Sequence, residues 1–178
     1  MKHLIFLLLL SFCYTLEAQN TNAYSFQAGK KGLIALGGYL IEADIQERQR
    51  LTYELLPKKS EYEAVFKKEY VRSVQKYHKK WYRSVSPTLG PKRITQSYLN
   101  CHKTTPEELL EMTGGAKHFP GGYGEIADWF QPGVELYRLQ FLEKGARVGT
   151  SYDIFVYMDG HWRIFPKPWM ANNEGTGE

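Results

Sequence analysis

Cysteine is scarce here, two residues in 178, and that scarcity sets the first limits. Cys13 lies within the N-terminal apolar run, so a chain that loses this run keeps Cys101 alone, with no intrachain disulfide to form. Cys101 therefore reads as a small buried residue near a strand end, with a reactive thiol or an intermolecular bridge as the alternative. Long apolar runs are equally rare. After residue 12 nothing is long enough to cross a bilayer. No His-x-x-x-His, Glu-x-x-His or Cys-x-x-Cys spacing occurs, and His78, His102, His118 and His161 lie far apart, so no metal site and no cofactor are expected. Gly-x-Ser-x-Gly is absent. Cys101 beside His102 is not a dyad, because adjacent strand residues point to opposite faces. "GGYG" (121–124) lacks the preceding strand and following Lys-Ser/Thr of a phosphate loop.

What is present begins with an address. Lys2 and His3 precede the apolar run Leu4–Phe12, and Leu16-Glu17-Ala18 ends on a small residue, the layout of a secretory signal cleaved after Ala18. Export to the periplasm or the medium follows as the expectation. The competing reading is a lipoprotein, with Leu10-Ser11-Phe12-Cys13 as a lipobox and Cys13 lipidated, although Phe12 is bulky for it. The expected division is a signal at 1–18, a mobile lead at 19–30, one domain at 31–170 and a disordered tail at 171–178. With 13 Tyr, 9 Phe and 4 Trp, the composition favours a packed core.

Hydrophobic spacing supplies the elements. Leu33, Leu36 and Leu40 with Ile34, Ile41 and Ile45 predict a helix over 31–55, in which Gly37-Gly38 permits close packing of another element. Ser60-Glu61-Tyr62-Glu63 reads as a capping box opening a second long helix. Its apolar stripe would run Tyr62, Phe66, Tyr70, Val74, Tyr77 and Trp81. Lys68, Arg72, Lys76, Lys79 and Arg83 would form a basic outer face. Over 58–83 there are nine Lys/Arg against Glu61, Glu63 and Glu69. Rings and cations on opposite faces argue against nucleic-acid stacking, so that face reads as solvated, with an anionic polymer as the alternative partner.

Beyond "SPTLGP" (86–91), a strand is expected at 93–100 and a short helix capped by Thr105 with Pro106 at its first position. Strands then follow at 134–141 and 148–158. Asp159-Gly160 supplies a tight turn into a strand at 161–165, which Pro166 and Pro168 end. Simple alternation places Tyr152, Ile154, Val156 and Met158 on one face and Asp153, Phe155 and Tyr157 on the other. Trp162 and Ile164 oppose His161, Arg163 and Phe165. The fold class is α+β: long N-terminal helices against a curved antiparallel sheet, covered on both sides by helices or by a partner subunit.

"YDIFVYMDGHWRIFPKPW" resembles the closing strands of nuclear transport factor two-like (cystatin-like cone) domains, and the element order over 31–169 is similar. The resemblance implies a pocket between sheet and helices, not a reaction. The loop carrying His118 and Tyr123, with Asp128-Trp129, is the candidate pocket mouth, and Tyr152 and Trp162 are candidate walls, although Trp162 is most simply core. An acid–base reading would use Asp128 or His118, tuned by burial beside Trp129. The bland alternative leaves Asp128 exposed on a helical turn. Within 161–169, His161, Arg163 and Lys167 are the residues with functional potential, and Lys167 with Trp169 could clamp the strand edge by a cation–π contact.

The leading expectation is a non-catalytic exported domain binding a small apolar ligand or a protein partner. The alternatives are a cofactor-independent isomerase or dehydratase using the same pocket, and a protector protein neutralising a partner enzyme. A catalyst requires a carboxylate or histidine with a shifted pKa inside the cavity. Self-association would instead use a homodimer through an outer sheet face exposing Phe155, Tyr157 and Phe165.

Overall fold

The structure, a computed structural model, describes residues 26–84 and 87–174. The signal, most of the lead and the last four residues fall outside it. The lead is nevertheless anchored where it is described: the Trp162 indole donates to the Gln27 carbonyl (3.1 Å) and Phe26 packs on Tyr39.

The first helical stretch divides in two, α1 (Gly29–Glu42) and α2 (Ile45–Leu55). Asp44 causes the break. Its carboxylate accepts from the Glu47 amide (2.8 Å), so it starts a new helix at a position that periodicity alone reads as continuous. Leu33, Leu36 and Leu40 bury one face of α1. At Gly37 an added Cβ would meet Leu99 and Leu139 side chains at 3.1–3.2 Å, the close helix–sheet approach expected of the Gly pair.

The second helix is interrupted as well. A turn of 3-10 helix (Lys59–Glu61) leads into α3 (Tyr62–Val65), and α4 (Lys68–Ser84) starts only after Phe66 goes extended. The predicted Ser60–Glu63 box is replaced by Glu61 reaching back to the Lys58 amide. Residues 129–131 take the place of helical continuity: Lys67 donates to the Trp129 carbonyl (2.8 Å), Gln131 to that of Val65 (2.9 Å), and Phe66 pairs with Phe130.

The sheet is a four-stranded antiparallel meander: β1 (Tyr98–Thr104), β2 (Leu136–Leu142), β3 (Thr150–Met158), β4 (His161–Ile164). β1 begins later than predicted because the Gln96 side chain gathers the Lys92 and Arg93 amides into a turn. Between β1 and β2 lie α5 (Pro106–Glu111), capped by Thr105 as expected, and α6 (Gly122–Glu125), with 3-10 turns at Ala116–His118 and Ala127–Trp129. Asp159 and Gly160 both adopt positive φ (48° and 82°), as a tight hairpin turn demands.

Simple alternation fails in β3. Tyr137 pairs with Phe155 but Arg138 pairs with Asp153, which leaves Ile154 as a bulge residue at φ 61°. Tyr152 consequently shares the face of Phe155 and Tyr157, while Asp153 joins Ile154 and Val156 opposite.

This is an α+β fold with the sheet covered on both faces by its own chain. On one side α1 and α2 bury Leu33, Leu36, Leu51 and Leu55 against Leu139, Phe155, Trp162 and Ile164. On the other, α3, α4 and the 116–130 segment pack Phe66, Val74, Tyr123 and Phe130 against Ile154, Val156 and Phe165. Phe155 and Phe165 are fully buried, which removes the exposed aromatic face expected for a homodimer. The C-terminal 3-10 segment (Pro168–Glu174) lies on α4 with Ala171 buried.

Candidate functional site

β4 pairs only with residues 155–158 of β3, so the Thr150–Asp153 half, paired with β2 along one edge, has no strand along the other. The gap is closed by the loop after residue 86, the end of α4 and the segment following β4. Between them lies a cavity of about 400 Å³. Leu56, Trp81, Pro87, Leu89, Tyr152, Ile164, Pro166 and Trp169 give it apolar walls. Thr150, Ser151 and Asp153 line it from β3, and Lys92 and Lys167 are its exposed basic residues. The volume lies within the range of small-molecule sites, about 300–1,000 Å³.

Two braces fix this cavity. The Tyr152 hydroxyl donates to the carbonyls of Gly90 (2.9 Å) and Thr88 (3.4 Å), and the Leu89 amide donates to Thr52 Oγ1 (2.9 Å), pinning the loop. Burial pushes the Tyr152 hydroxyl up to about 12, so it stays a donor. On the opposite wall, His78 Nε2 lies 2.8 Å from the Pro166 carbonyl and Nδ1 lies 2.9 Å from the Tyr62 hydroxyl. The fully buried His78 is held down to about 4 by desolvation, so it is a neutral ring that donates to Pro166 and accepts from Tyr62.

Asp153 is the charged group of the cavity wall nearest the core. Its side chain is 13% exposed, and Oδ1 sits 3.3 Å from Arg138 Nε without hydrogen-bond geometry. Arg138 is held elsewhere, by the His118 carbonyl and by Ser151 Oγ (2.9 Å). Tyr123 Oη, fully buried nearby, also completes no hydrogen bond of normal geometry. Burial raises the Asp153 pKa, and Arg138 and Tyr123 offset only part of that rise. Burial, reinforced by the Asp153 charge, raises Tyr123 well above its ordinary value. An under-coordinated carboxyl in an apolar cavity is equipped to anchor a ligand's donor group, or to hold a proton.

The expected site residues part company here. Tyr123 and Tyr152 line the cavity. His118 is exposed on a 3-10 turn and stacks on His102 (3.8 Å). Asp128 is exposed and accepts from the Tyr70 hydroxyl (3.3 Å), while Trp129 is buried and stacked on Tyr70 (4.8 Å). Neither Asp128 nor His118 is buried beside a reaction space, and the exposed Asp128 matches the bland alternative. Trp162 belongs to the α1/α2 core.

Within the C-terminal stretch, Lys167 lines the cavity, and Trp169 packs edge-on against Tyr123 (4.6 Å). His161 and Arg163 instead join Glu61 in a buried network. Arg163 grips both Glu61 oxygens (2.8 and 3.0 Å) and also donates to the Glu54 carbonyl. Burial pushes Glu61 upward, but these bonds and the Lys58 amide outweigh it and hold the carboxylate low. Cys101 packs against the α1/α2 core, and burial pushes its thiol up to about 11, which leaves it unreactive.

Asp153, Trp81 and Trp169 were not singled out from sequence as the cavity's chemistry. The available signal was Asp153 itself, a carboxylate inside the otherwise apolar strand "YDIFVYM". Among the described residues, no group of three or more His, Cys, Asp or Glu is placed to hold a metal ion. Comparison with protein-family models, curated proteins and solved structures found no match to this chain.

Proposed function

We propose that this chain is an exported binding domain whose cavity, beside the Thr150–Asp153 edge of β3, takes a small and mainly apolar ligand with one hydrogen-bond donor. The observation that carries the reading is the pairing of apolar, aromatic walls with the single under-coordinated carboxyl of Asp153. Apolar walls supply affinity, and a lone polar anchor supplies orientation. The resemblance to cone-like domains supports a pocket beside the sheet and adds nothing about the ligand.

A neutral naphthylamine fluorophore titrated into the protein is expected to saturate at one site and to quench tryptophan emission from Trp81 and Trp169. Thr88→Trp, which projects bulk from the cavity rim, is expected to weaken it at least about tenfold. Unchanged affinity in that variant would place the ligand elsewhere.

The raised Asp153 pKa favours a second reading, an enzyme that moves a proton through this carboxyl. Mass spectrometry of bound ligand separates the two. Chemically altered ligand that Asp153→Asn leaves unaltered, with binding retained, would establish catalysis.

A further inference from the structure

The outer face of α4 is strongly basic. Lys68–Ser84 holds six Lys or Arg against one carboxylate, Glu69. Lys68, Arg72, Lys76, Lys79 and Arg83 are all exposed, and none of them has a carboxylate partner among the described residues. Steps of three or four residues at 1.5 Å each set these cations about 5–6 Å apart, in a row about 22 Å long. Like charges four residues apart weaken a helix, so the row is tolerated against local stability.

The surface beside this row is a groove. Lys59, on the 3-10 turn before α3, faces Lys79 and Arg83 across a depression of about 540 Å³ whose remaining wall is Pro57, Gln75 and two tyrosines, Tyr62 and Tyr82. Gln75 donates to the Lys59 carbonyl (2.9 Å) and so fixes the two banks relative to each other. A second depression of about 480 Å³ shares Lys59 and Gln75 and prolongs the first toward Val71, with Glu63 as its one carboxylate. Glu61 is committed to Arg163 inside the core, and Glu63, which lines the prolongation, is not among the residues lining the depression between Lys59, Lys79 and Arg83.

We propose that this groove binds a linear anionic polysaccharide, its carboxylates or sulfates meeting Lys59, Lys79 and Arg83. Shape and charge select this class over other polyanions. A single-stranded nucleic acid needs exposed rings among the cations for stacking, and none of the exposed large apolar side chains lies on α4. The same absence leaves nothing to insert into a bilayer. A groove rather than a flat face suits a thread-like chain.

The test titrates the full chain with a fluorescent oligogalacturonate long enough to span α4, at low and at raised salt. Saturable binding that weakens as salt rises is expected. Lys79→Glu with Arg83→Glu is expected to reduce affinity about tenfold or more, whereas Lys144→Glu with Arg147→Glu, the same charge change on the exposed β2–β3 turn, is expected to leave it within about twofold. Equal losses in both double variants would reduce the effect to net charge and overturn the proposal. So would the absence of binding, or tighter binding to anionic vesicles or to a single-stranded oligonucleotide of matched charge. Because the naphthylamine cavity lies elsewhere, fluorophore affinity should be untouched by the Lys79/Arg83 change.

Discussion

Two buried titratable side chains make opposite demands on pH. His78 normally takes a proton near 6.5, and its buried, doubly engaged ring refuses one until about 4. The unfolded chain therefore binds the extra proton across that interval. The stability His78 contributes is complete above 6.5 and declines as pH falls toward 4, at up to about 1.4 kcal/mol per unit. Urea midpoints at pH 7 and pH 5 should differ more in the wild type than in His78→Gln, and equal differences would remove His78 as the titrating group. Asp153 runs the other way. Its pKa is raised in the fold, so its stabilising share is present below the ordinary 3.8 and is lost as pH rises through the folded value. Asp153→Asn should accordingly gain on the wild type between pH 4 and pH 7 in the same measurement.

At the level of elements, glycine spacing in α1 gives a sharp contrast. A Cβ at Gly32 would lie 1.6 Å from the Gln27 carbonyl oxygen, where the lead segment crosses the helix, while at Gly38 it would meet nothing within 4 Å. Gly32→Ala should destabilise by about 1–3 kcal/mol through forced displacement of the lead, and Gly38→Ala should stabilise by roughly 0.5–1 kcal/mol. Thermal unfolding of the two variants checks both signs. The Glu61–Arg163 pair ties the 3-10 turn before α3 to β4, with side chains 8% and 2% exposed. Arg163→Leu leaves a buried carboxylate beside His161 and should cost about 3–5 kcal/mol, whereas replacing both partners with apolar residues should recover much of the loss. Denaturant unfolding of the single and double variants measures the difference.

Periodicity made these elements legible where side chains only pack: the leucine stripe of α1, the Thr105 cap and the Asp159-Gly160 turn were all readable. It failed where a side chain reaches across sequence. Asp44 split one helix and residues 129–131 split another. The Ile154 bulge reversed the face of Tyr152, and with it the grouping of the cavity residues. The cavity itself joins positions 52 to 169, and no local pattern brings Leu56, Trp81, Asp153 and Trp169 together.

For the molecule as a whole, both sheet faces are covered by its own segments among the described residues. Among the described residues no helix is long and apolar enough to cross a membrane. The Thr150–Asp153 edge has a consequence of its own. A strand margin without a neighbour invites another chain to add to it, the first step of ordered aggregation. Here the margin is hidden by a loop held by the Tyr152 hydroxyl and by the Leu89 bond to Thr52. Tyr152→Phe should therefore shorten the lag before aggregation on mild heating, while a cavity occupant should lengthen it in the wild type, as light scattering would record. Whatever fills the cavity would thus also serve as a guard against self-templating.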